Sequence, residues 1–522
     1  MDRAKSLSVI ADTSILWDVI IIGGGASGIG VAVDSAARGY KTLLVEQVDF
    51  GKGTSSRSTK LAHGGVRYLQ QGNISLVLEA LKERGIMKRN APHLVKDLEF
   101  VVPVYDWWEG PFYGIGLKLY DILAGKEGLG ASQFLSKEET IKKIPTVETD
   151  GLKGGVIYHD GQFDDVRLLI NLAQTAHEQG ASIANYVKVV SILKNEDLIS
   201  GVEVEDQETG KMYKLRSKLV INATGVFTDT VRKMDDASAT PIMTSSQGVH
   251  IVLDKSFLPG DSAIMVPHTD DGRVLFAVPW HDKIIVGTTD TPVKEYPLEP
   301  IALDEEIEFL LTHAARYLTN DPSSKDIKSI FVGLRPLVME GDTQNTAAIS
   351  REHTINISRS GLLSIAGGKW TTYRKMAEDV VDQAILIGDL DSKKCLTEDL
   401  QIYGYHQYAE VFGDLEQFGS AAANLINLLD EKPNYKNKLH PDYSHVEGEV
   451  IWAVRKEMAR NIEDFLARRT RLLFLDVEAS LLVAPKVAQL MAQELGHNKG
   501  WENLELEKYT DLTRNYRPKQ VN

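Results

Sequence analysis

The sequence predicts a mixed α/β and α+β fold. It comprises a Rossmann-like nucleotide-binding domain with an inserted antiparallel-sheet layer, followed by a helical C-terminal domain. Three observations predict it. Residues 17–46 read strand, glycine turn, helix, strand; residues 247–290 hold four short strand-like runs; and beyond residue 400 the pattern turns helical. The first pattern calls for a parallel pair with a right-handed crossover. The second favours antiparallel pairing over further βα units.

Taken in order, WDVIII is β-branched and short enough for a buried strand. GGGASG turns the chain, IGVAVDSAARG places small and apolar residues at helical spacing, and KTLLVE returns as a second strand. DDVRLLINLAQTAHEQG (164–180) predicts an amphipathic helix closed by Gly180, followed by the strand-like ASIANYVKVVSILKN. Two more strands flank the turn-like DQETG, and a third apolar strand, KLVINATG, ends in glycine. GVHIVLD, SAIMVP, RVLFAVPW and DKIIVGTT supply the antiparallel layer, and GLLSIAGGKWTTYRKMAEDVVDQAI (361–385) is again strand, glycine turn, helix. The expected plan is a nucleotide-binding domain over 15–390, with substrate-binding segments inserted at 70–155 and 240–335, and a helical domain over 400–522. In that last domain Val454, Met458, Ile462 and Phe465 stand at helical spacing.

Composition narrows the function. A chain of 522 residues is long enough for two or three domains. Its net charge of −15 excludes a general nucleic-acid binder, while leaving room for a local basic pocket. Cys395 is the single cysteine, which excludes an internal disulfide and a CxxC redox or zinc site, so no metal is expected. The first residues lack a secretory pattern, and no uncharged apolar run is long enough to span a bilayer. A cytoplasmic protein is expected, with attachment to one membrane face left open.

Gly23, Gly25 and Gly28 form Gly-x-Gly-x-x-Gly between strand and helix, which permits a tight turn, close approach of a pyrophosphate and close helix packing. Glu46 ends the next strand, where a carboxylate takes ribose hydroxyls and repels a ribose phosphate. A simple NAD enzyme would continue with βα units, but GTSSRSTKLAHGG follows instead. Thr54, Ser55, Ser58 and Lys60 would hydrogen-bond the phosphates or ribityl chain of FAD; the alternative is an ordinary Ser/Thr surface loop. INATG, with Ala223 and Gly225, and IAGGKWTT, with Gly367, Gly368 and Thr371, deliver further glycines where a backbone must approach closely. Val189, in NYVKVVSIL, completes the expected FAD contacts.

Arg67 and Tyr68, in KLAHGGVRYLQ, would then lie near the reactive end of the cofactor. Arg335 in GLRPL and Lys369 in GGKWTTYR are further cations beside turns. Two arginines and a lysine converging on one pocket would read a dianionic phosphate. The alternative makes the arginines ion-paired scaffold. His63 and His250 (QGVHIV) are candidates for a general base, or structural hydrogen bonders.

WDVIIIGGGASGIG, TSSRSTKLAHGGVRYL, INATGVFTD, PWHDKIIVGTTDT, GLRPL and GGKWTTYRKMAE together resemble the FAD-dependent glycerol-3-phosphate dehydrogenase family over residues 15–385, and EMARNIEDFLARRTRLLF resembles its C-terminal domain. The resemblance implies oxidation of sn-glycerol 3-phosphate to dihydroxyacetone phosphate, with electrons passing through FAD to a membrane quinone. It places Arg67, Tyr68, Arg335 and Lys369 around the substrate, and it is the sole ground for a homodimer. His63 as the base is a hypothesis of this reading. YDWWEGPFYGIGLKLYDILAGK (105–126) offers Trp107, Trp108, Phe112, Tyr113 and Leu117 as a membrane contact at the cytoplasmic face of the inner membrane, or as cover for the protein's own core. The rivals are a glycerol-3-phosphate oxidase releasing peroxide, an amine or amino-acid flavin oxidase, and a flavin-binding regulator without turnover.

Overall fold

The computed structural model describes residues 1–65, 73–106, 109–266, 269–270, 274–339 and 352–519, with the backbone alone at 109–113. Two sheets organise it. The first runs, in spatial order, His353–Ile357, Leu363–Gly367, Met212–Asn222, Leu16–Ile22, Thr42–Val45 and Ser182–Ala184. From Leu363–Gly367 to Ser182–Ala184 all neighbours are parallel. The antiparallel hairpin Val187–Asn195 and Leu198–Asp206 extends from Met212–Asn222. The continuous apolar run of the first strand follows from burial on both faces. Val19 and Ile21 pack in the core that includes Leu169 and Val380, while Ile20 and Ile22 pack with Val202 and Val204. Ala26–Ala37, Asp165–Glu178 and Tyr373–Ile387 supply the helices of the first of those cores.

The second sheet runs Thr291–Val293, Met243–Asp254, Lys283–Gly287, Leu275–Trp280, Ala263–Val266, Val95–Val104, Gly154–Phe163 and Leu61–Ala62. Ser329–Val338 lies along Met243–Asp254 and Gln133–Ser136 along Gly154–Phe163. Pairing is antiparallel apart from Ala263–Val266 on Val95–Val104. The register sets His250 opposite both Gly287 and Phe331, and Ser246 opposite Arg335.

The helical spacing of Val454 to Phe465 does not produce one helix. Glu447–Glu457 ends at Met458, which is left-handed at φ 56°; Asp464–Arg469 is a π-helical turn, and Arg471 is left-handed at φ 60°. Polar capping breaks the run. The Asp464 carboxylate accepts the N–H groups of Arg460 and Asn461, and the Asn461 side chain accepts the N–H of Asp464. The turns aim Arg468 and Arg469 at buried Asp49, with contacts of 2.6 and 2.8 Å, and set Glu457 against Arg167 at 2.6 Å.

On the helix Glu109–Ala124, Leu117 takes the second of its two expected roles, cover for the core. Leu117 is buried among Phe100, Val102 and Tyr158, whereas Ile115 and Ile122 are 71% and 75% exposed and Leu119 is exposed beside them. These three share one helical face. Trp107 and Trp108, and the side chains of Phe112 and Tyr113, lie outside the described residues. Among the described residues no helix is long and apolar enough to cross a membrane.

Candidate active site

The parallel register sets Ile22 opposite Asn222, and Asn222 opposite Ser364. The turns that follow these strands, at Gly23, Ala223 and Gly367, therefore lie along one rim of the sheet. Gly23 has φ +112°, and a Cβ there would meet the Ala223 carbonyl oxygen at 2.6 Å, so only glycine fits. A Cβ on Gly28 would stand 2.0 Å from the Gly23 oxygen, which is how the helix packs so tightly on the turn. Gly25 starts Ala26–Ala37 without a side-chain cap, and the Ala26 N–H donates to Ser55 Oγ at 2.9 Å. Glu46 accepts the N–H groups of Gly24 at 2.6 Å and Val48 at 3.0 Å; burial raises its proton affinity and those donors oppose the rise.

Gly225 has φ +59° and nothing within 4 Å of a Cβ, and it opens the short turn Gly225–Phe227, again without a side-chain cap. Uncapped helical starts and a rim of side-chain-free backbone fit an adenine dinucleotide's pyrophosphate. Gly367 and Gly368 are both left-handed, and a Cβ would meet the Glu352 oxygen at 2.7 Å or Met376 at 2.4 Å, so a side chain is excluded there as it is at Gly23. Thr371 is buried in the turn Trp370–Thr372, and the Val189 side chain packs in the core with Val187, Val202 and Val204.

The polar loop after Thr42–Val45 is held mainly by the protein itself. Thr54 donates its hydroxyl to the Leu334 oxygen at 2.6 Å, and Ser58 donates to Asp165 at 2.7 Å. Lys60 requires a correction. Its fully buried ammonium is 2.8 Å from both oxygens of Asp165 and donates to the Ser56 oxygen at 2.6 Å, so its charge is not presented to phosphates. Burial pulls Lys60 down and pushes Asp165 up, while each partner opposes the change in the other. The hydrogen bonds decide for the ion pair: the Lys60 ammonium meets acceptors, and Asp165 receives donors from Ser58, Lys60 and the Val166 N–H.

Trp370 has a role that the sequence did not reveal. Its indole N–H donates to the Ser55 carbonyl at 2.9 Å, tying the Gly367–Gly368 turn to the residue that holds Ala26. Since Thr54 also binds Leu334, the strand bearing Arg335 and the turn bearing Lys369 both anchor on residues 54–55. Arg335 is strongly held. Its terminal nitrogens reach Asp290 at 2.9 Å, the Thr289 oxygen at 2.7 Å and the Gln247 oxygen at 3.3 Å. Lys369 is half-buried at the start of Trp370–Thr372.

His63 is half-buried just after Leu61–Ala62, where the Gly64 N–H donates to the Tyr120 hydroxyl at 2.8 Å. His250 is buried, its Nε2 2.9 Å from Thr59 Oγ1 and its ring stacked on Phe331 at 4.7 Å. Burial, with the charges of Lys60 and Arg335, holds its imidazole well below the usual range and therefore neutral. Its Nδ1 has no hydrogen-bond partner among the described residues. Arg67 and Tyr68 lie outside the described residues. Sequence reasoning missed Thr59, Asp165 and Asp290, because nothing local marks a pairing more than 100 residues away in the case of Lys60 and Asp165.

Residues 18–374 match the family described as FAD dependent oxidoreductase, and residues 363–501 match the C-terminal domain of alpha-glycerophosphate oxidase. The mitochondrial glycerol-3-phosphate dehydrogenase of Mesocricetus auratus is 40% identical over 543 aligned residues, covering 97% of this chain and 74% of its own. The glycerol-3-phosphate dehydrogenase from Bacillus halodurans complexed with FAD superposes with a TM-score of 0.81 at 28% identity, covering 100% of this chain and 99% of that one. An FAD-bound L-alpha-glycerophosphate oxidase from Mycoplasma pneumoniae, 19% identical with a TM-score of 0.57 over 74% of this chain and 98% of its own, shares the fold. Fold and glycine rim thus define an FAD-dependent oxidoreductase, and FAD is its cofactor. Within that class, the chain belongs to the FAD-dependent glycerol-3-phosphate dehydrogenase family.

Proposed function

We propose that this enzyme oxidises sn-glycerol 3-phosphate to dihydroxyacetone phosphate and passes the electrons to a membrane quinone. The observation that carries the reading is whole-chain similarity, helical domain included, to proteins named for that dehydrogenase activity. FAD, when bound, supplies the two-electron acceptor for the hydride leaving C2. Gly23, Gly25, Gly28, Glu46 and Gly225 form the rim that holds it, with Ser55 and Trp370 fixing the loops around them.

Arg335, preset by Asp290 and the Thr289 carbonyl, bears on the substrate phosphate together with Lys369; Arg67 and Tyr68 join them on the family resemblance alone. His63 takes the C2 hydroxyl proton. His250, neutral and held at Nε2 by Thr59, orients that hydroxyl. The exposed face of Ile115, Leu119 and Ile122 rests on the membrane that holds the quinone, at its cytoplasmic side. A homodimer is compatible with this reading and is not needed by it.

The match of residues 363–501 to an oxidase domain favours a second reading, in which oxygen is the acceptor. One experiment separates the two. Glycerol 3-phosphate added without oxygen should bleach the flavin, and quinone in lipid vesicles should then restore its colour much faster than dissolved oxygen. Ile115→Ser/Ile122→Ser should slow reoxidation by vesicle quinone and leave that by a water-soluble quinone unchanged. Fast reoxidation by oxygen, with slow reoxidation by either quinone, would transfer the enzyme to the oxidases.

A further inference from the structure

We propose that Lys60 is a positioning residue for His250, acting through Thr59, and that the C-terminal domain completes the device. This rests on the reading of His250 as a group that meets the substrate.

Lys60 is left-handed at φ 64°, a conformation that costs a side-chain-bearing residue energy and persists where its surroundings enforce it. Those surroundings come from three parts of the chain. Asp165, at the start of the helix Asp165–Glu178, takes the ammonium at 2.8 Å. Trp280 and Phe331, on the second sheet, hold it at 5.1 and 5.2 Å from their ring centres. Phe474, from the C-terminal helix Leu472–Leu475, closes the cage at 5.6 Å.

The backbone is clamped as firmly as the side chain. The Lys60 N–H donates to Ser58 Oγ at 3.0 Å, and Ser58 donates both its hydroxyl and its N–H to Asp165. Thr59 is thereby fixed between two anchored neighbours, and its hydroxyl lies 2.9 Å from His250 Nε2. Phe331 adds a second restraint, because it stacks on His250 while also flanking the Lys60 ammonium. One buried charge thus governs both contacts that orient the imidazole.

Asp164 extends the connection. It forms an ion pair with Arg471, Nε standing 2.9 Å away, and lies 3.2 Å from His281 Nε2; Arg471, like Met458, is a left-handed residue of the C-terminal domain. A buried ion pair is weak evidence for stability, since apolar residues of the same volume often serve equally well. Here the pair sets a geometry that an apolar replacement would not define.

The test uses the FAD-loaded enzyme with a soluble dye acceptor, and records flavin content alongside kcat and KM. Thr59→Val keeps the shape and removes the hydroxyl; it should lower kcat about tenfold with little change in KM, and Thr59→Ser should restore most of the loss. Lys60→Met/Asp165→Asn removes both buried charges together and should lower kcat similarly. Combined with Thr59→Val it should add little, because residues acting through one contact are not additive. A normal kcat for Thr59→Val, or losses that multiply, would overturn the proposal. If the Lys60→Met/Asp165→Asn enzyme fails to retain flavin, the two Thr59 variants decide alone. His250→Gln separates the layers: normal turnover there removes His250 from the site, whereas lost turnover with a normal Thr59→Val enzyme sinks this proposal by itself.

Discussion

The glycine rim and the seam between the first sheet and the C-terminal domain are built on opposite principles. At the rim, Gly23 and Gly28 work by having no side chain, so that the turn packs closely on Ala223 and on the helix, while Gly225 leaves open space. At the seam, long charged side chains are buried: Arg468 and Arg469 on Asp49, Arg167 on Glu457, and Lys52 on both Glu299 and Glu463. Tyr516 reaches the same network, donating to Glu299 at 2.6 Å beside Arg57, which also binds Glu299. The rim is bare backbone. The seam is built of paired charges and holds the loop of residues 49–60 in place from outside.

The sharpest way to test that contrast is to break one seam pair. Arg167 and Glu457 form a two-pronged ion pair, each about 1% exposed, and the Trp452 N–H also donates to Glu457. Arg167→Met should destabilise the enzyme by ~3–5 kcal/mol, because it strands a buried carboxylate. Arg167→Met/Glu457→Gln should recover much of that in denaturant unfolding. Equal loss in both variants would mean that packing, including Arg167 over the Phe418 ring, outweighs charge at the seam.

Rim substitutions should act on cofactor retention first. Gly28→Ala drives a methyl to 2.0 Å from the Gly23 oxygen, so the turn must shift. We expect a cost of about 1–3 kcal/mol in FAD affinity, read from flavin absorbance during dilution. Gly225→Ala meets open space and bears mainly the left-handed backbone penalty of roughly 1 kcal/mol. If Gly225→Ala released FAD more readily than Gly28→Ala, direct approach by the cofactor would outrank packing at the rim.

The same contrast explains what could be read in the sequence. The rim is local: Gly23, Gly25, Gly28 and Glu46 fall within one strand–helix–strand unit, and their spacing states the geometry. Part of the antiparallel layer was equally legible, since the strand-like runs from GVHIVLD to DKIIVGTT are short and separated by turns, but Val95–Val104, Gly154–Phe163 and Ser329–Val338 of the same sheet went unread. Lys60 looked like a phosphate ligand because its neighbours are polar and its partner Asp165 lies 105 positions away. Leu117 looked like a membrane contact because composition does not fix which helical face points out; the exposed face is that of Ile115, Leu119 and Ile122. Helical periodicity at 454–465 was real, yet Asp464 and Asn461 capped the backbone instead of continuing the helix. Charge pairing over a long separation overrode the local pattern in the first of these cases, and short-range polar capping did so in the last.

Trp370 belongs to both regimes, and it gives the finest test. Its ring packs edge-on against Phe163 at 5.1 Å and Tyr373 at 5.3 Å, as a core residue would. Its N–H reaches the Ser55 carbonyl, as a rim residue would. Trp370→Phe keeps most of the packing and deletes the hydrogen bond, a net loss of about 0.5–1.5 kcal/mol. If the bond matters chiefly by holding Ser55 against the Ala26 N–H, the loss should appear in FAD affinity more than in the unfolding midpoint of the FAD-free protein. A loss confined to unfolding would make Trp370 a core residue that touches the rim without governing it.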